Sequence, residues 1–143
     1  MTEPYHLRSQ LLGAKAAYEK AWETSDSETQ KSLFNSMLFE CSRARWIARD
    51  DPKLLEACSL DRKEFLAVMD AVANLRNVVE HWQDPKDPRP LDATQHRIGS
   101  LTVAVDEASF IILGPQTVLK GRLNLCDVYQ FVCSALARFN ETP

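Results

Sequence analysis

The segment from Asp61 to Gln83 constrains the fold of this chain more than any other, because its apolar residues recur with the period of a long α-helix. At about 100° per residue they cover more than half of the helix circumference, whereas a surface helix carries a narrower apolar stripe. Asp61 followed by Glu64 is typical of a helix start. We therefore expect this helix to occupy the centre of a helical domain. Its apolar residues are Phe65, Val68, Val72, Leu75, Val78, Val79 and Trp82.

Two helices are predicted before it. The first covers residues 5–24, and Ser25 with Glu28 forms a capping box that starts the second. The second helix continues to Arg49 and ends before Pro52, after which a short helical turn is predicted. Because the connection between the two helices is short, we expect them to lie antiparallel as a hairpin.

The pattern of apolar residues changes from a helical period to strand-like alternation after the central helix. Three prolines within residues 84–90 end that helix. Apolar residues alternate over residues 101–105, a turn follows, and residues 110–113 are a compact β-type run. The last helix begins near Asn124. The predicted fold is mainly α, with a single domain over residues 1–143: a bundle of about four long helices with a β-hairpin inserted before the last one.

Composition limits the class of protein. Of the 143 residues, 45% are hydrophobic and 26% are charged, which is typical of a globular domain. The net charge of −3 argues against an indiscriminate nucleic-acid binder, because such binding needs clustered Lys and Arg. No apolar run reaches the roughly 20 residues of a membrane span, and no export signal is evident, so we expect a cytoplasmic protein with no membrane partner. Four cysteines without a C-x-x-C pair and three scattered histidines predict no metal site, and we expect no cofactor.

One dense cationic stretch lies in the second helix. It contains Arg43, Arg45 and Arg49 around Trp46. These four residues are candidates for RNA contact, since basic side chains bind phosphate and an exposed aromatic ring stacks on a base. The other interpretation is an ordinary solvated helix face.

Polar residues of the central helix gather on one side. Arg76 and Glu80 stand four residues apart and can form an ion pair, and Asn77 and His81 can hydrogen-bond in the same way. Arg76 and His81 are five residues apart, which separates them by about 140° around one helix. They therefore converge poorly within one copy. Two copies facing each other across a two-fold axis would pool two Arg and two His, so the spacing favours a homodimer.

The sequence Arg76-Asn77-Val78-Val79-Glu80-His81, preceded by Leu75, resembles the R-x4-6-H signature of the HEPN superfamily, whose active members are RNA-cleaving helical dimers. As in that family, the motif lies near the end of the third long helix and the residue after the Arg is polar. A β-hairpin before the last helix also occurs in some members. Two features depart from the family pattern. Gln83 stands where AMPylated members have Tyr, and Trp82-Gln83-Asp84 matches the residues that follow the His only loosely.

The resemblance implies metal-independent RNA cleavage, with attack of a 2′-hydroxyl on the adjacent phosphorus. His81 would transfer protons and Arg76 would stabilise the phosphorane. Asn77 would orient His81 or bind phosphate, and Glu80 would hold Arg76. Such a protein would be a toxin or defence component with a cognate antitoxin or regulatory partner. The alternative is a non-catalytic HEPN-like dimer that binds a partner protein or a nucleotide. A further alternative assigns no function: Arg76–Glu80 is then an ordinary salt bridge and His81 a helix-end residue.

Overall fold

The computed structural model describes residues 4–82, 84, 86 and 90–141, and this part of the chain is mainly helical, as predicted, and also contains small antiparallel sheets. The four long predicted helices are all present, and the short one after Pro52 forms as well. In chain order the elements are α1 (Pro4–Ala21), α2 (Ser27–Asp50), α3 (Pro52–Ala57), α4 (Arg62–His81), β1 (Thr94–Ile98), β2 (Leu101–Val105), β3 (Ile111–Gly114), β4 (Thr117–Lys120), β5 (Leu123–Asn124) and α5 (Leu125–Glu141).

The start of α2 differs from the predicted capping box. Asp26, not Ser25, caps the helix: its carboxylate accepts hydrogen bonds from the backbone N–H of Thr29 at 3.0 Å and from the Thr29 hydroxyl. A carboxylate is well suited to this role because it accepts from an unpaired N–H and also complements the helix dipole. The start of α4 follows the prediction, since Asp61 accepts from the Glu64 N–H at 2.8 Å.

The core is built around the α1–α2 hairpin rather than around α4 alone. Small side chains along α1 and α2, such as Ala14, Ala17 and Ala44, are buried and allow the two helices to approach closely. The expectation of a broadly buried central helix was therefore wrong in extent: α4 buries a one-sided stripe, and Trp82 at its end is 42% exposed. The buried residues of α4 are Phe65, Met69, Val72 and Leu75.

The β segment contains two hairpins where the sequence predicted one. β2 pairs antiparallel with β1, and β3 pairs with β4, which also carries the short β5. The predicted pairing of residues 101–105 with residues 110–113 was wrong because each run has a nearer partner. Gly99 adopts φ 62° in the tight turn between β1 and β2, a conformation that glycine reaches without strain. β1 was not predicted, because its residues are mostly polar and do not show the alternating apolar pattern of a strand.

β4 buries one charged side chain, Lys120, which is 3% exposed. Its Nζ lies 4.2 Å from the centroid of the Phe110 ring. Burial lowers the pKa of Lys120 to about 8, and the negative charges of Asp106 and Glu107 oppose this shift only in part. The folded protein therefore disfavours the charged form of the Lys120 side chain.

This arrangement predicts a specific pH dependence of stability. Between pH 8 and the ordinary Lys value of 10.5, the unfolded chain binds the Lys120 proton and the folded chain does not, so stability rises with pH across that window. The free energy of unfolding of the wild type, minus that of Lys120→Met, should increase from pH 8 to pH 10 in urea titrations. Thiol and phenol titrations are common to both proteins and cancel in the difference. Parallel stability curves would contradict the prediction.

Candidate functional site

The candidate site lies where α2 and α4 run antiparallel beside each other. Arg45, late in α2, bonds to Asp70, early in α4, while Phe39, earlier in α2, meets Arg76, later in α4. This register places Phe39 level with Arg76, the first residue of the hexapeptide, and the cationic stretch begins one helical turn further along α2, beside the earlier part of α4. We call the surface formed by Phe39, Arg43, Trp46, Arg76 and Glu80 the α2/α4 face.

Arg76 is held from two sides. Its Nη2 donates to Oε1 of Glu80 at 3.0 Å, which confirms the predicted ion pair. Its Cζ lies 4.9 Å from the centroid of the Phe39 ring, within the range of a cation–π contact. The Arg76 side chain is 28% exposed, so the guanidinium is restrained and still reachable from solvent.

His81 faces a different neighbour. Its Nδ1 is buried and lies 3.5 Å from Oδ2 of Asp84, without the geometry of a hydrogen bond. Asn77 is exposed, and the residues that the structure describes include no hydrogen bond between Asn77 and His81. Among the described residues, the carboxylate that lies beside the imidazole is that of Asp84, which the sequence did not single out. With the His81 side chain 36% exposed, the ring has access to solvent.

The structure divides the four cationic-stretch residues into two groups. Arg45 bonds to Asp70 across the helix pair and has a structural role. Arg43 and Arg49 are exposed, and Trp46 is 69% exposed. The second group is therefore more accessible to a substrate than Arg45, whose side chain is 22% exposed and already paired.

Sequence reasoning missed Phe39, although its ring connects the two parts of the site. Phe39 is 43% exposed, and the Cζ of Arg43 lies 5.8 Å from its centroid. The available signal was the spacing: Phe39 and Arg43 are four residues apart on a helix and must be neighbours. Residue type alone does not distinguish an exposed aromatic residue from a buried one, so the sequence did not identify Phe39 as part of the site.

The site is an open surface and not a cleft. A cavity of about 320 Å³ lies along α4, between the helix and the β segment, and none of the hexapeptide's polar residues lines it. An open face suits a polymer better than a small molecule, because small ligands need concave sites that bury most of their surface. The residues lining the cavity include Asn74, Val78, Asp92, Glu107 and Arg122.

No family model, no curated protein and no solved structure matches this chain. Among the described residues, no group of three or more His, Cys, Asp and Glu side chains is placed to hold a metal ion. No helix in the described ranges has both the length and the apolar character needed to cross a membrane.

Proposed function

We propose that this chain is a metal-independent endoribonuclease of the HEPN type, which acts in the cytoplasm as a homodimer and serves as a toxin or defence component. The observation that carries the proposal is that both motif side chains are reachable from solvent, that two neighbours restrain Arg76, and that His81 lies beside a carboxylate. Glu80 and Phe39 restrain Arg76, and Asp84 stands beside His81. A restrained guanidinium and a solvent-accessible imidazole suit catalysis by positioned groups.

The chemistry follows from the residue types. A carboxylate beside Nδ1 favours the His81 tautomer with its proton on that nitrogen, which leaves the Nε2 lone pair to accept a proton. Nε2 takes the proton of the RNA 2′-hydroxyl as the 2′-oxygen attacks phosphorus. The bond to the 5′-oxygen breaks, and that oxygen takes a proton from a second imidazole. The products are a 2′,3′-cyclic phosphate and a 5′-hydroxyl, and the two imidazoles exchange roles.

Arg76 supplies the positive charge for this reaction. The phosphorane carries two negative charges, and a planar guanidinium can donate two parallel hydrogen bonds to its oxygens. Glu80 keeps the guanidinium in place and Asn77, which is exposed, is free to bind a phosphate oxygen. A group that is already oriented needs little reorganisation in the transition state.

The dimer supplies what a single copy lacks. Arg76 turns toward α2 and lies on Phe39, whereas His81 is about 140° further around α4. A two-fold axis close to His81 would place two such histidines across from each other. The second imidazole of the mechanism is then His81 of the partner subunit.

Sedimentation tests this assembly directly. We expect a single species of about twice the chain mass at micromolar concentration, because the proposed reaction needs two copies of the motif. Any cleavage activity should then fall more steeply than the protein concentration when dilution separates the subunits. A protein that stays monomeric at micromolar concentration contradicts the dimer.

The activity is tested by incubating the purified protein with RNA in the presence of EDTA and analysing the ends of the products. Cleavage that survives EDTA and leaves 2′,3′-cyclic phosphates supports the proposal. Growth arrest on expression, relieved by His81→Ala, supports a role as a toxin. Harmless expression together with intact RNA leaves no enzymatic role.

The second candidate function is a non-catalytic dimer that binds a partner protein or a nucleotide through the same face. It is favoured by the Arg76–Glu80 pair, since a guanidinium whose charge is already balanced contributes less to a transition state. Arg and Trp are also enriched in protein interfaces, and Trp46 is well exposed. A cognate antitoxin or regulatory protein could dock there. Binding of such a partner without any RNA cleavage by the free protein would favour this candidate.

A further inference from the structure

Phe39 is the point at which two helices present guanidinium groups together. The Cζ of Arg76 lies 4.9 Å from the centroid of the Phe39 ring, and the Cζ of Arg43 lies 5.8 Å from the same centroid. Arg43 stands one helical turn after Phe39 on α2, and Arg76 reaches the ring from α4. The half-exposed Phe39 ring therefore contacts two guanidinium groups that are far apart in sequence.

Positive charge exceeds negative charge around this ring. Glu80 balances Arg76, and Asp70 balances Arg45, the next cation along α2. Arg43 is exposed and has no carboxylate partner in the part of the chain that the structure describes. The excess is local, because the whole chain has a net charge of −3. Two guanidinium groups near one ring repel each other, and an anion that contacts both removes this repulsion.

We propose that Phe39, Arg43 and Arg76 form a clamp for the phosphodiester backbone, in which Arg43 is a second phosphate-binding arginine and Phe39 is a positioning residue. The inference rests on the proposed ribonuclease function, because it names the part of the substrate that this face binds. A guanidinium matches the geometry of phosphate oxygens and can stack on an aromatic ring at the same time. The ring restricts both side chains before the substrate arrives, which lowers the entropy lost on binding.

Binding to a short, fluorescein-labelled 2′-O-methyl RNA tests the clamp without any cleavage, because this RNA lacks the free 2′-hydroxyl. For Arg43→Gln, we expect the slope of log affinity against log salt to become shallower by about 0.7, the value for one lost contact with a single strand. Phe39→Leu should weaken binding about two- to fivefold, as loss of an exposed cation–π contact does. Phe39→Tyr should restore the affinity, since it keeps the ring.

Two matched controls separate the clamp from general effects of charge and aromatic surface. Arg8→Gln removes an exposed arginine from α1, and Tyr5→Leu removes an aromatic residue that is 69% exposed on the same helix. Both should bind as the wild type does. Melting curves for all variants show whether each protein is folded.

Kinetics with cleavable RNA separate the clamp from the proposed function. Arg43→Gln should raise KM and leave kcat close to the wild-type value, whereas Arg76→Ala should lower kcat. If Arg43→Gln and Phe39→Leu match the wild type in affinity, salt slope and KM, the clamp is wrong even when His81 and Arg76 prove catalytic. If the wild type cleaves no RNA but the salt slope and the Phe39→Tyr rescue behave as expected, the clamp is supported and the nuclease proposal fails.

Discussion

Replacing His81 with Ala should lower the rate of RNA cleavage by at least ~10²–10⁴-fold, the loss typical of a missing general acid or base. Affinity for a non-cleavable RNA should change little, because the imidazole acts on the transferred proton and not on the bound backbone. The side chain is 36% exposed and does not belong to the hydrophobic core of the described residues, so its removal should leave the core packing unchanged. A melting temperature close to that of the wild type is therefore expected.

Substitutions of Arg76 test whether this residue has a catalytic role or only a structural one. Arg76→Lys keeps the charge but should also fail, because an ammonium group cannot make the bidentate contact with phosphorane oxygens. If Arg76 had only a structural role, Arg76→Ala would instead cost ~0.3–0.5 kcal/mol for the ion pair with Glu80 and about 0.5–1 kcal/mol for the contact with Phe39, and would leave activity unchanged. Folded, dimeric and inactive variants support the nuclease. Variants as active as the wild type end that proposal.

The helices could be predicted from sequence because their signals are local. Apolar periodicity and the Asp61 cap located α4, and the four-residue spacing of Arg76 and Glu80 was enough to predict their ion pair. The Ser25 cap failed by one residue because Ser and Asp are both good caps, and only the backbone conformation decides between Ser25 and Asp26.

The strand pairing and the role of Phe39 were not predicted, because both depend on residues that are distant in the chain. The partner of β2 is set by the turn at Gly99 and by a polar strand, and neither contributes to an apolar pattern. Phe39 and Arg76 meet because of the register of α2 against α4, which no single-helix plot contains. Asp84 is only three residues from His81, but it lies beyond the end of α4, where helical spacing no longer predicts which side chains are neighbours. The motif residues on α4 were therefore found, whereas Phe39 and Asp84, which join the site through helix packing and through the chain beyond α4, were not.

Phe34 and Phe39 provide a test of where the stability of this fold resides. Phe34 is completely buried, and its ring lies 5.6 Å from the rings of Tyr18 and Trp22 and 5.9 Å from that of Phe110, measured between centroids. It therefore joins α1, α2 and the β segment in one aromatic cluster. Phe39 stands five residues later on the same helix and is 43% exposed.

Phe34→Ala should destabilise the protein by ~3–5 kcal/mol, because it removes buried apolar area and leaves a cavity among the neighbouring aromatic rings. This is a large share of the ~5–15 kcal/mol that stabilises a typical domain, so the urea midpoint should fall sharply. Phe39→Ala makes the same chemical change on the same helix but loses only two exposed cation–π contacts, about 0.5–1 kcal/mol each at most. Equal losses for the two variants would mean that the aromatic cluster does not organise the core. A large loss for Phe34→Ala alone would separate the residue that stabilises the fold from the residue assigned to the site.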